Sequence, residues 1–360
     1  MKNNRAIVYA DRLYKSADGK TAHGLVRFSK KYDIACVVDS TITKGDSGEI
    51  LDGLKRNIPL YNDLDYALNN LNAKIFIIGA VSEGGIIPKG YDKAIKKALE
   101  NGLDIVSGLH QFISDNPTFL KIAEKNSCKI IDVRKIFSKY KRFYTGEIKK
   151  VKSKRIAILG TDSAIGKRTI AVMLNEELNN NGLKSDMIYT GQTGWMQGWP
   201  HGIVLDAIIN DFVSGGIEGA ILDSWNDLKP DYMIIEGQGS LVHPYFPGGY
   251  EILAAGKIDG FILVDAPKRP HLDGFPEYPM PDPSRVIKIA KLITGKPLIG
   301  IGINNENMTQ FDIKETKIDL NKKFNVPVVD PFTEGVAEIT RYLKKIIGWK
   351  KCITWYVFQV

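Results

Sequence analysis

Short apolar runs alternate with amphipathic stretches along the first 148 residues of the chain. The runs are continuously apolar instead of alternating with polar positions, which is typical of parallel strands buried on both faces. They span residues 6–10, 33–39, 74–80, 103–109 and 128–133. Segments with helical spacing separate these runs, and one of them ends on Asn101-Gly102, a common helix terminus. The pattern predicts a Rossmann-like, doubly wound α/β domain.

The same alternation continues through the C-terminal part and predicts a second α/β domain. Strands are expected at 155–159, 184–190, 231–235, 259–265, 297–303 and 326–329. Helices are expected at 167–180, 203–213, 217–228, 249–256, 283–294, 313–323 and 334–346. Between the two patterns, the stretch 142–154 is charged and poor in helical spacing, which is typical of a domain boundary. We therefore divide the chain into a Rossmann-like domain (1–148), a second domain (149–348) and a tail (349–360).

The stretch RIAILGTDSAIGKRTI, residues 155–170, joins an apolar strand to a helix through a small polar loop. A strand, a Gly-bounded loop and a helix opening on Gly-Lys are the parts of a P-loop, in which backbone N–H groups and a lysine surround a phosphate. The second domain is therefore predicted to be P-loop NTPase-like. The residues expected to bind the cofactor are Gly160, Thr161, Asp162, Ala164, Gly166, Lys167, Arg168 and Thr169.

Two positions depart from the usual P-loop pattern. Thr161 stands where the first glycine is expected, one place after Gly160, and Arg168 replaces the hydroxyl residue that binds Mg²⁺. The hydroxyl comes one place later, at Thr169. A site for phosphate alone tolerates these changes better than a site for an Mg–nucleotide does, so we predict no metal ligands.

Three further segments follow predicted strands at the edge where the P-loop lies. The carboxyl ends of parallel strands meet at one crevice, so we expect polar side chains from all three segments to converge there. The first segment, TGQTGWMQG (190–198), is expected to be a mobile polar loop that supplies cofactor-binding residues. The polar residues singled out in the three segments are Gln192 and Thr193, then Glu236 and His243, then Lys268 and Arg269.

The composition is that of a globular protein, with 44% hydrophobic and 25% charged residues in 360. No membrane-spanning run or signal peptide is evident, which predicts a cytoplasmic protein without membrane contacts. The three cysteines are far apart and indicate neither disulfides nor a thiolate metal site. The net charge is +8, but the basic residues form no aromatic-interleaved face, so nucleic acid is not expected as a partner.

Two resemblances follow from these motifs. GTDSAIGK together with IIEGQGS resembles the motif pair of dethiobiotin synthetase-like P-loop proteins, which use ATP. A longer set of segments resembles a bacterial and archaeal family long carried as a domain of unknown function, with an N-terminal Rossmann-like and a C-terminal P-loop domain. These segments are TAHGLVR (21–27), GGIIPKGYDKAI (84–95), GLDIVSGLH (102–110), IDVRK (131–135), GTDSAIGKRT (160–169), TGQTGWM (190–196) and EGQGSLVHP (236–244).

That family is similar to D-glutamate N-acetyltransferases, which use acetyl-CoA. The resemblance implies a transferase whose P-loop holds phosphate of CoA and whose second substrate is a small acidic amino acid. Acetyl transfer to an amine needs a base, for which Glu236 is the first candidate and His243 the second. Lys268 and Arg269 are the candidates for binding the substrate carboxylates, because a guanidinium grips a carboxylate with two bonds.

Two other functions stay open at this point. One is an ATP-dependent enzyme of the dethiobiotin synthetase type, with Thr169 and Glu236 near Mg²⁺ and Asn304 or Asn305 recognising the base. The other is a non-catalytic nucleotide-binding regulator. The apolar tail ITWYVFQV adds to a sheet edge, buries at the interface of a homo-oligomer, or is a foreign extension, and the sequence does not decide among these.

Overall fold

The first sheet contains seven strands in the order β3-β4-β2-β1-β5-β6-β7 in the computed structural model, which describes residues 4–348. All neighbouring strands pair in parallel except β3 and β4. The strands are β1 (Arg5–Tyr9), β2 (Asp33–Val38), β3 (Lys44–Asp46), β4 (Pro59–Tyr61), β5 (Ile75–Ile78), β6 (Asp104–Ser107) and β7 (Ile130–Asp132). The predicted tail, 349–360, lies outside the described residues.

Six helices cover the two faces of this sheet. They are α1 (Lys20–Phe28), α2 (Ser47–Asp52), α3 (Leu64–Asn70), α4 (Tyr91–Glu100), α5 (Pro117–Lys125) and α6 (Val133–Ser138). In α4 the buried residues Ala94, Ile95 and Ala98 lie on one face at helical spacing. Asn116 caps α5 by accepting a hydrogen bond from the N–H of Thr118, and Pro117 begins the helix.

The second sheet has six strands in the order β15-β14-β11-β8-β10-β9, all parallel, so that the strand preceding the P-loop lies inside the sheet. These strands are β8 (Lys154–Gly160), β9 (Ser185–Ile188), β10 (Tyr232–Ile235), β11 (Gly260–Asp265), β14 (Leu298–Ile303) and β15 (Val328–Val329), and a separate hairpin pairs β12 (His271–Leu272) with β13 (Phe275–Pro279). The helices are α7 (Lys167–Asn180), α8 (Gln192–Gln197), α9 (Asn210–Leu228), α10 (Tyr250–Ala255), α11 (Pro283–Thr294), α12 (Gln310–Phe324), α13 (Pro331–Glu334) and α14 (Ala337–Ile347).

Two predicted elements are wrong. The helix expected at 203–213 does not form as one element. Ile203 and Leu205 donate backbone hydrogen bonds to Tyr189 and Thr190 beyond the end of β9, a single 3-10 turn follows at Leu205–Ala207, and α9 begins only at Asn210. The expected mobile loop at 190–198 contains the buried helix α8. The helix expected at 217–228 begins earlier, at Asn210, and runs without a break through the glycines at 215, 216 and 219. A Cβ at Gly215 would lie 1.9 Å from the carbonyl oxygen of Arg142, so glycine at this position allows the chain before β8 to cross close to the helix.

The two sheets share an interface formed by α1 and α8. Leu25 of α1 and Met196 of α8 belong to one continuous buried cluster. The buried side chain of Gln197 donates to the backbone carbonyl of Gly24 at 2.8 Å. The backbone carbonyl of Gln197 accepts from the backbone N–H groups of Lys30 and Lys31. A Cβ at Gly24 would lie only 2.7 Å from Thr193 Cγ2, so the lack of a side chain permits the close approach. The contacts hold the P-loop domain firmly against the Rossmann-like domain.

The segment between the sheets is anchored on α9. Glu218, fully buried, accepts hydrogen bonds from the backbone N–H groups of Thr145 (2.6 Å) and Ile148 (3.1 Å). Burial alone would raise the pKa of Glu218, but these hydrogen bonds outweigh it and lower the pKa. Ile148 and Val151 are buried as well. The boundary near residue 148 stays a prediction, yet the chain around it is not a loose linker. No helix within 4–348 is long and apolar enough to cross a bilayer.

Replacing Glu218 by Gln should release this segment. Both carboxylate oxygens of Glu218 accept from backbone N–H groups, whereas Gln would place its NH₂ group, a donor, against one of them. That N–H group would lose its acceptor, so we expect a loss of about 1–3 kcal/mol in the free energy of unfolding. Because the pKa of Glu218 is lower in the folded state than in the unfolded state, the ionised carboxylate stabilises the fold above the unfolded-state pKa. This stabilisation is lost as pH falls through the folded-state pKa. Glu218→Gln should therefore reduce the dependence of stability on pH at the acid end.

Denaturant unfolding at several pH values and limited proteolysis measure both effects. Asp223→Asn is the control, since Asp223 lies on the same helix and its pair with Arg142 is exposed. Equal stability of the two variants, or cleavage of the wild-type protein at 142–155 before any other site, would contradict this anchoring.

Candidate functional site

The P-loop leaves β8 at Gly160 and enters α7 at Lys167. Ala164 and Gly166 have positive φ angles of 50° and 103°. The left-handed conformation of these two residues lets the chain turn from the end of β8 into the N-terminus of α7. This is the geometry in which backbone N–H groups and a helix terminus bind an anion. The predicted strand, loop and helix are therefore present at the predicted residues.

Lys167 follows the loop as the first residue of α7 and is 7% exposed. Its ammonium donates to the carbonyl oxygen of Asp162 at 2.6 Å. Burial lowers the pKa of Lys167 to about 7, the charge of Asp162 opposes this shift, and the charge of Lys20 reinforces it. A phosphate oxygen offers a stronger, charged partner than a carbonyl does, so the lysine is poised to exchange one for the other.

The carboxylate of Asp162 is fully buried and holds the loop in shape. Its Oδ2 accepts from Arg269 Nη1 at 2.7 Å and from the N–H of Asp273 at 2.9 Å, and its Oδ1 accepts from the N–H of Ser163 at 2.6 Å. Ser163 Oγ in turn donates to Asp273 Oδ2 at 2.6 Å. Asp162 therefore joins the P-loop to the β12–β13 hairpin from inside and does not present its carboxylate to a ligand.

Arg168, which is partly exposed, forms an ion pair with the buried Glu236 beside Lys167. Arg168 Nη2 lies 2.7 Å from Glu236 Oε1, and the N–H of Thr190 donates to Glu236 Oε2 at 3.1 Å. Glu236 is 2% exposed. Arg168 Nε is buried without a hydrogen-bond partner among the described residues. Thr169, also buried, is on the first turn of α7. The carboxylate that would face Mg²⁺ in a nucleotide enzyme thus carries a guanidinium instead.

His243 is buried behind the loop. Its Nδ1 accepts from the N–H groups of Tyr245 and Phe246, both at 3.1 Å, which leaves the proton on Nε2. Nε2 faces the carbonyl of Asp273 at 3.4 Å and lies 3.6 Å from Asp162 Oδ1. These contacts give His243 a structural role in the loop, and they leave Glu236 as the stronger candidate base.

Lys268 and Arg269 are engaged by protein carboxylates. Arg269 donates from Nε and Nη2 to Glu306 at 2.6 and 2.9 Å and from Nη1 to Asp162. Lys268 Nζ lies 2.9 Å from Asp312 Oδ1, at the start of α12. Substrate carboxylates would have to displace these partners. The expectation that the two residues bind substrate therefore gains no support from their geometry.

The remaining predicted residues hold the site in place. Thr161 Oγ1 donates to Asp265 Oδ1 at 2.6 Å. Gln192 Oε1 accepts from Arg134 Nη2 at 3.1 Å, and Thr193 Oγ1 lies 3.2 Å from Thr21 Oγ1. Both partners of the α8 residues belong to the Rossmann-like domain. Asn304 Nδ2 donates to the P-loop carbonyl of Ile165 at 3.3 Å, and Asn305 donates to Asp330.

Two cations that sequence reasoning missed reach the site from the Rossmann-like domain. Arg134, on α6, forms an ion pair of 2.6 Å with Asp206 in addition to its bond to Gln192. Lys20 begins α1, and its charge perturbs the pKa of Lys167. The usable signal was the position of Lys20 at the start of the helix after β1, the place where Rossmann-like domains bind anions.

Residues 142–340 match a family described as the DUF1611_C P-loop domain, a domain of unknown function. The chain belongs to the DUF1611 family. Residues 41–136 match the DUF1611_N Rossmann-like domain. These matches confirm the predicted order of a Rossmann-like domain followed by a P-loop domain. A solved DUF1611 family protein from Anabaena variabilis is 26% identical, with a TM-score of 0.87 over 95% of this chain and 100% of that chain.

Two curated relatives of this DUF1611 chain carry an activity in their names. A protein of Tritonibacter scottomollicae named D-glutamate N-acetyltransferase is 30% identical over 280 residues, which is 76% of this chain and 82% of that protein. A Pseudoalteromonas protein of the same name is 31% identical over 279 residues, again 76% of this chain and 82% of that protein. These relatives support an enzyme of the transferase class.

The lowered pKa of Lys167 predicts how anion binding depends on pH. Since the lysine must be charged to hold phosphate, binding of CoA should weaken as pH rises from 7 to 9 and should take up a proton at pH 8. Phosphate monoesters, with a second pKa of about 6, are already ionised in this window. Calorimetry in buffers of different ionisation enthalpy measures the uptake.

Lys167→Ala should weaken binding and remove the proton uptake, whereas Lys152→Ala, an equal charge change at an exposed position, should do neither. Proton release, or affinity that rises between pH 7 and 9, would show that Lys167 does not become charged around the ligand.

Proposed function

We propose that this chain is an N-acetyltransferase that moves the acetyl group of acetyl-CoA to the amine of an acidic amino acid, with D-glutamate as the first substrate to try. Two relatives named D-glutamate N-acetyltransferase, at 30% and 31% identity over most of their length, support this proposal. The observation within the site that carries it is the Arg168–Glu236 ion pair.

The ion pair favours a phosphate ligand without metal over an Mg–nucleotide. Mg²⁺ prefers oxygen ligands in octahedral geometry and repels a guanidinium held beside it. Arg168 occupies the position after the P-loop lysine and bonds the carboxylate at the end of β10 at 2.7 Å. The same guanidinium keeps a buried Nε donor for an anion. Lys167, Arg168 and the N-terminus of α7 fit the phosphates of CoA.

Glu236 is the group that we assign to the proton of the attacking amine. The amine nitrogen must lose a proton as the new C–N bond forms and the thioester C–S bond breaks, and a positioned carboxylate accelerates such a step. Oε1 bonds Arg168 and Oε2 bonds the N–H of Thr190, so each oxygen retains a lone pair for the substrate. Arg168 and Thr190 thereby position the base.

Acetyl-CoA supplies the acetyl group as a thioester, and the remaining tasks fall to residues of the chain. The P-loop residues Gly160, Ala164, Gly166 and Lys167 bind phosphate through their backbone and the lysine charge. Gln192 and Thr193 fix α8 against the Rossmann-like domain through Arg134 and Thr21. Cytoplasmic location and assembly into a homo-oligomer stay predictions.

The activity can be tested directly by following thiol release from acetyl-CoA with D-glutamate, L-glutamate, D-aspartate and D-glutamine, in buffer with Mg²⁺ or with a chelator. We expect turnover with D-glutamate that does not need Mg²⁺. Calorimetry of CoA and ATP under the same two conditions provides the binding data. Tight binding of ATP only with Mg²⁺, and no binding of CoA, would replace this proposal by the dethiobiotin synthetase type. Nucleotide binding without any turnover would favour the regulator.

Glu236→Gln keeps the size of the side chain but removes the base. Turnover should fall by roughly a hundredfold or more, the usual range for a lost general base. CoA affinity should not fall, because the change frees Arg168 from its carboxylate. The control is Glu277→Gln, at an exposed position of the β12–β13 hairpin. Full turnover by Glu236→Gln would move the base to another residue, and weaker CoA binding would mean that Glu236 holds Arg168 in its binding position.

A further inference from the structure

The start of α1 carries a cation that the proposed mechanism does not use. Lys20 is the first residue of this nine-residue helix and is partly buried. Among the side chains that the structure describes, none forms an ion pair or a hydrogen bond with its ammonium. A cation at a helix N-terminus also opposes the helix dipole. Two unfavourable features at one side chain require an explanation other than stability.

The surroundings of Lys20 are shared by both domains. The next residue, Thr21, contacts Thr193 of α8, with 3.2 Å between the hydroxyl oxygens. One turn further, Gly24 accepts from Gln197, and a Cβ at Gly24 would lie 3.7 Å from Arg168 Nη1. The first turns of α1 therefore face the first turn of α7, where Lys167 and Arg168 lie.

Charges of both signs act on Lys20. Burial lowers the pKa of Lys20, the charges of Arg168 and Arg134 lower it further, and those of Asp273 and Asp18 oppose the shift. The charge of Lys20 likewise lowers the pKa of Lys167. Several cations thus converge on one cleft between the domains.

The carboxylates that border this cleft are bound to other groups. Asp273 accepts from Ser163 Oγ, Asp206 pairs with Arg134, and Glu236 pairs with Arg168. Arg134 and Arg168 thus have carboxylate partners, whereas Lys20 and Lys167 form no ion pair with a described carboxylate. Two lysines that lack such a partner in one cleft favour a site for an anionic ligand. Because Lys268 and Arg269 already bind protein carboxylates, Lys20 is also the better placed lysine for a second anionic group.

We propose that Lys20 of the Rossmann-like domain binds an anionic oxygen of the ligand held by the P-loop, so that the ligand site is completed across the two domains. The oxygen belongs either to a phosphate of the cofactor or to a carboxylate of the acidic acceptor, groups that an ammonium binds in the same way. This inference rests on the proposed function for the identity of these ligands, but the anion site itself does not depend on turnover.

The test compares Lys20→Met, which keeps the length of the side chain and removes the charge, with Lys20→Arg, which keeps the charge. Calorimetry measures the affinity for CoA, inorganic pyrophosphate and D-glutamate, and steady-state kinetics measures KM for D-glutamate. A lost charge-assisted hydrogen bond corresponds to roughly a tenfold to hundredfold effect. Weaker binding of CoA and pyrophosphate assigns Lys20 to phosphate, whereas a raised KM or weaker binding of D-glutamate alone assigns it to the carboxylate. Lys20→Arg should recover part of either loss.

Two controls separate binding from folding and from general charge. Lys15→Met removes an equal charge from an exposed position five residues earlier and should leave every affinity unchanged. The thermal midpoint of ligand-free Lys20→Met should equal or exceed that of the wild-type protein, because the substitution relieves repulsion at the start of α1. A lower midpoint together with weaker binding would show a structural role and overturn the proposal.

The remaining outcomes are equally decisive. Unchanged affinities for all three probes and an unchanged KM in Lys20→Met would overturn the proposal, as would wild-type protein that binds none of the probes. If the wild-type protein binds CoA or pyrophosphate but does not acetylate D-glutamate, the proposed function fails while the effect of Lys20→Met on binding still decides the inference.

Discussion

The buried carboxylate of Asp162 is the interaction on which the site depends. A charge without exposure to solvent must be paired, and removing one partner leaves a cost of several kcal/mol. Asp162 meets this need by binding Arg269 and the backbone of Ser163 and Asp273, while its carbonyl holds Lys167. One residue of the P-loop therefore connects the loop, the β12–β13 hairpin and, through Arg269 and Glu306, the segment after β14. These bonds within the protein fix the conformation of the loop, and a fixed loop loses little entropy when a ligand binds.

The site also depends on the domain interface. The side chain and the backbone carbonyl of Gln197 both form hydrogen bonds with the Rossmann-like domain. Gln192 contacts Arg134 of that domain, and Thr193 contacts Thr21. The helix α8 follows a strand of the P-loop sheet, yet its buried polar residues are satisfied by the other domain. In this chain the Rossmann-like domain therefore supports α8 beside the P-loop, and Lys20 adds a positive charge near Lys167. The β1–α1 connection is at the place where such folds bind anions, although it lacks the glycine-rich dinucleotide motif.

Much of the arrangement of the candidate site could be predicted, and the assignments that the geometry does not support share a cause. The Gly-Lys helix start, the departure at Arg168 and the Glu after an apolar strand are local signals, and Lys167, Arg168 and Glu236 do meet. Lys268 and Arg269 were assigned to substrate because of their place after a predicted strand and because a guanidinium grips a carboxylate with two bonds. Neither signal tells a substrate carboxylate from a protein carboxylate such as Asp312, Asp162 or Glu306. Likewise, a histidine in a polar loop gives no sign that two backbone N–H groups will occupy its Nδ1, as they do in His243.

The sequence by itself determined most of the strands and helices, the two α/β domains and the P-loop, because these depend on periodicity and on motifs within a few residues of one another. Tertiary structure alone decided what lies opposite each charged group. Three pairs show this: Arg168 faces Glu236, Glu218 binds the N–H of Ile148 between the sheets, and Lys20 lies near Lys167. The two residues of each pair are 68 or more positions apart in the sequence, so no local pattern reveals the contact. Burial then lowers the pKa of Lys167 and of Lys20, because the exclusion of water disfavours the charged form of a lysine.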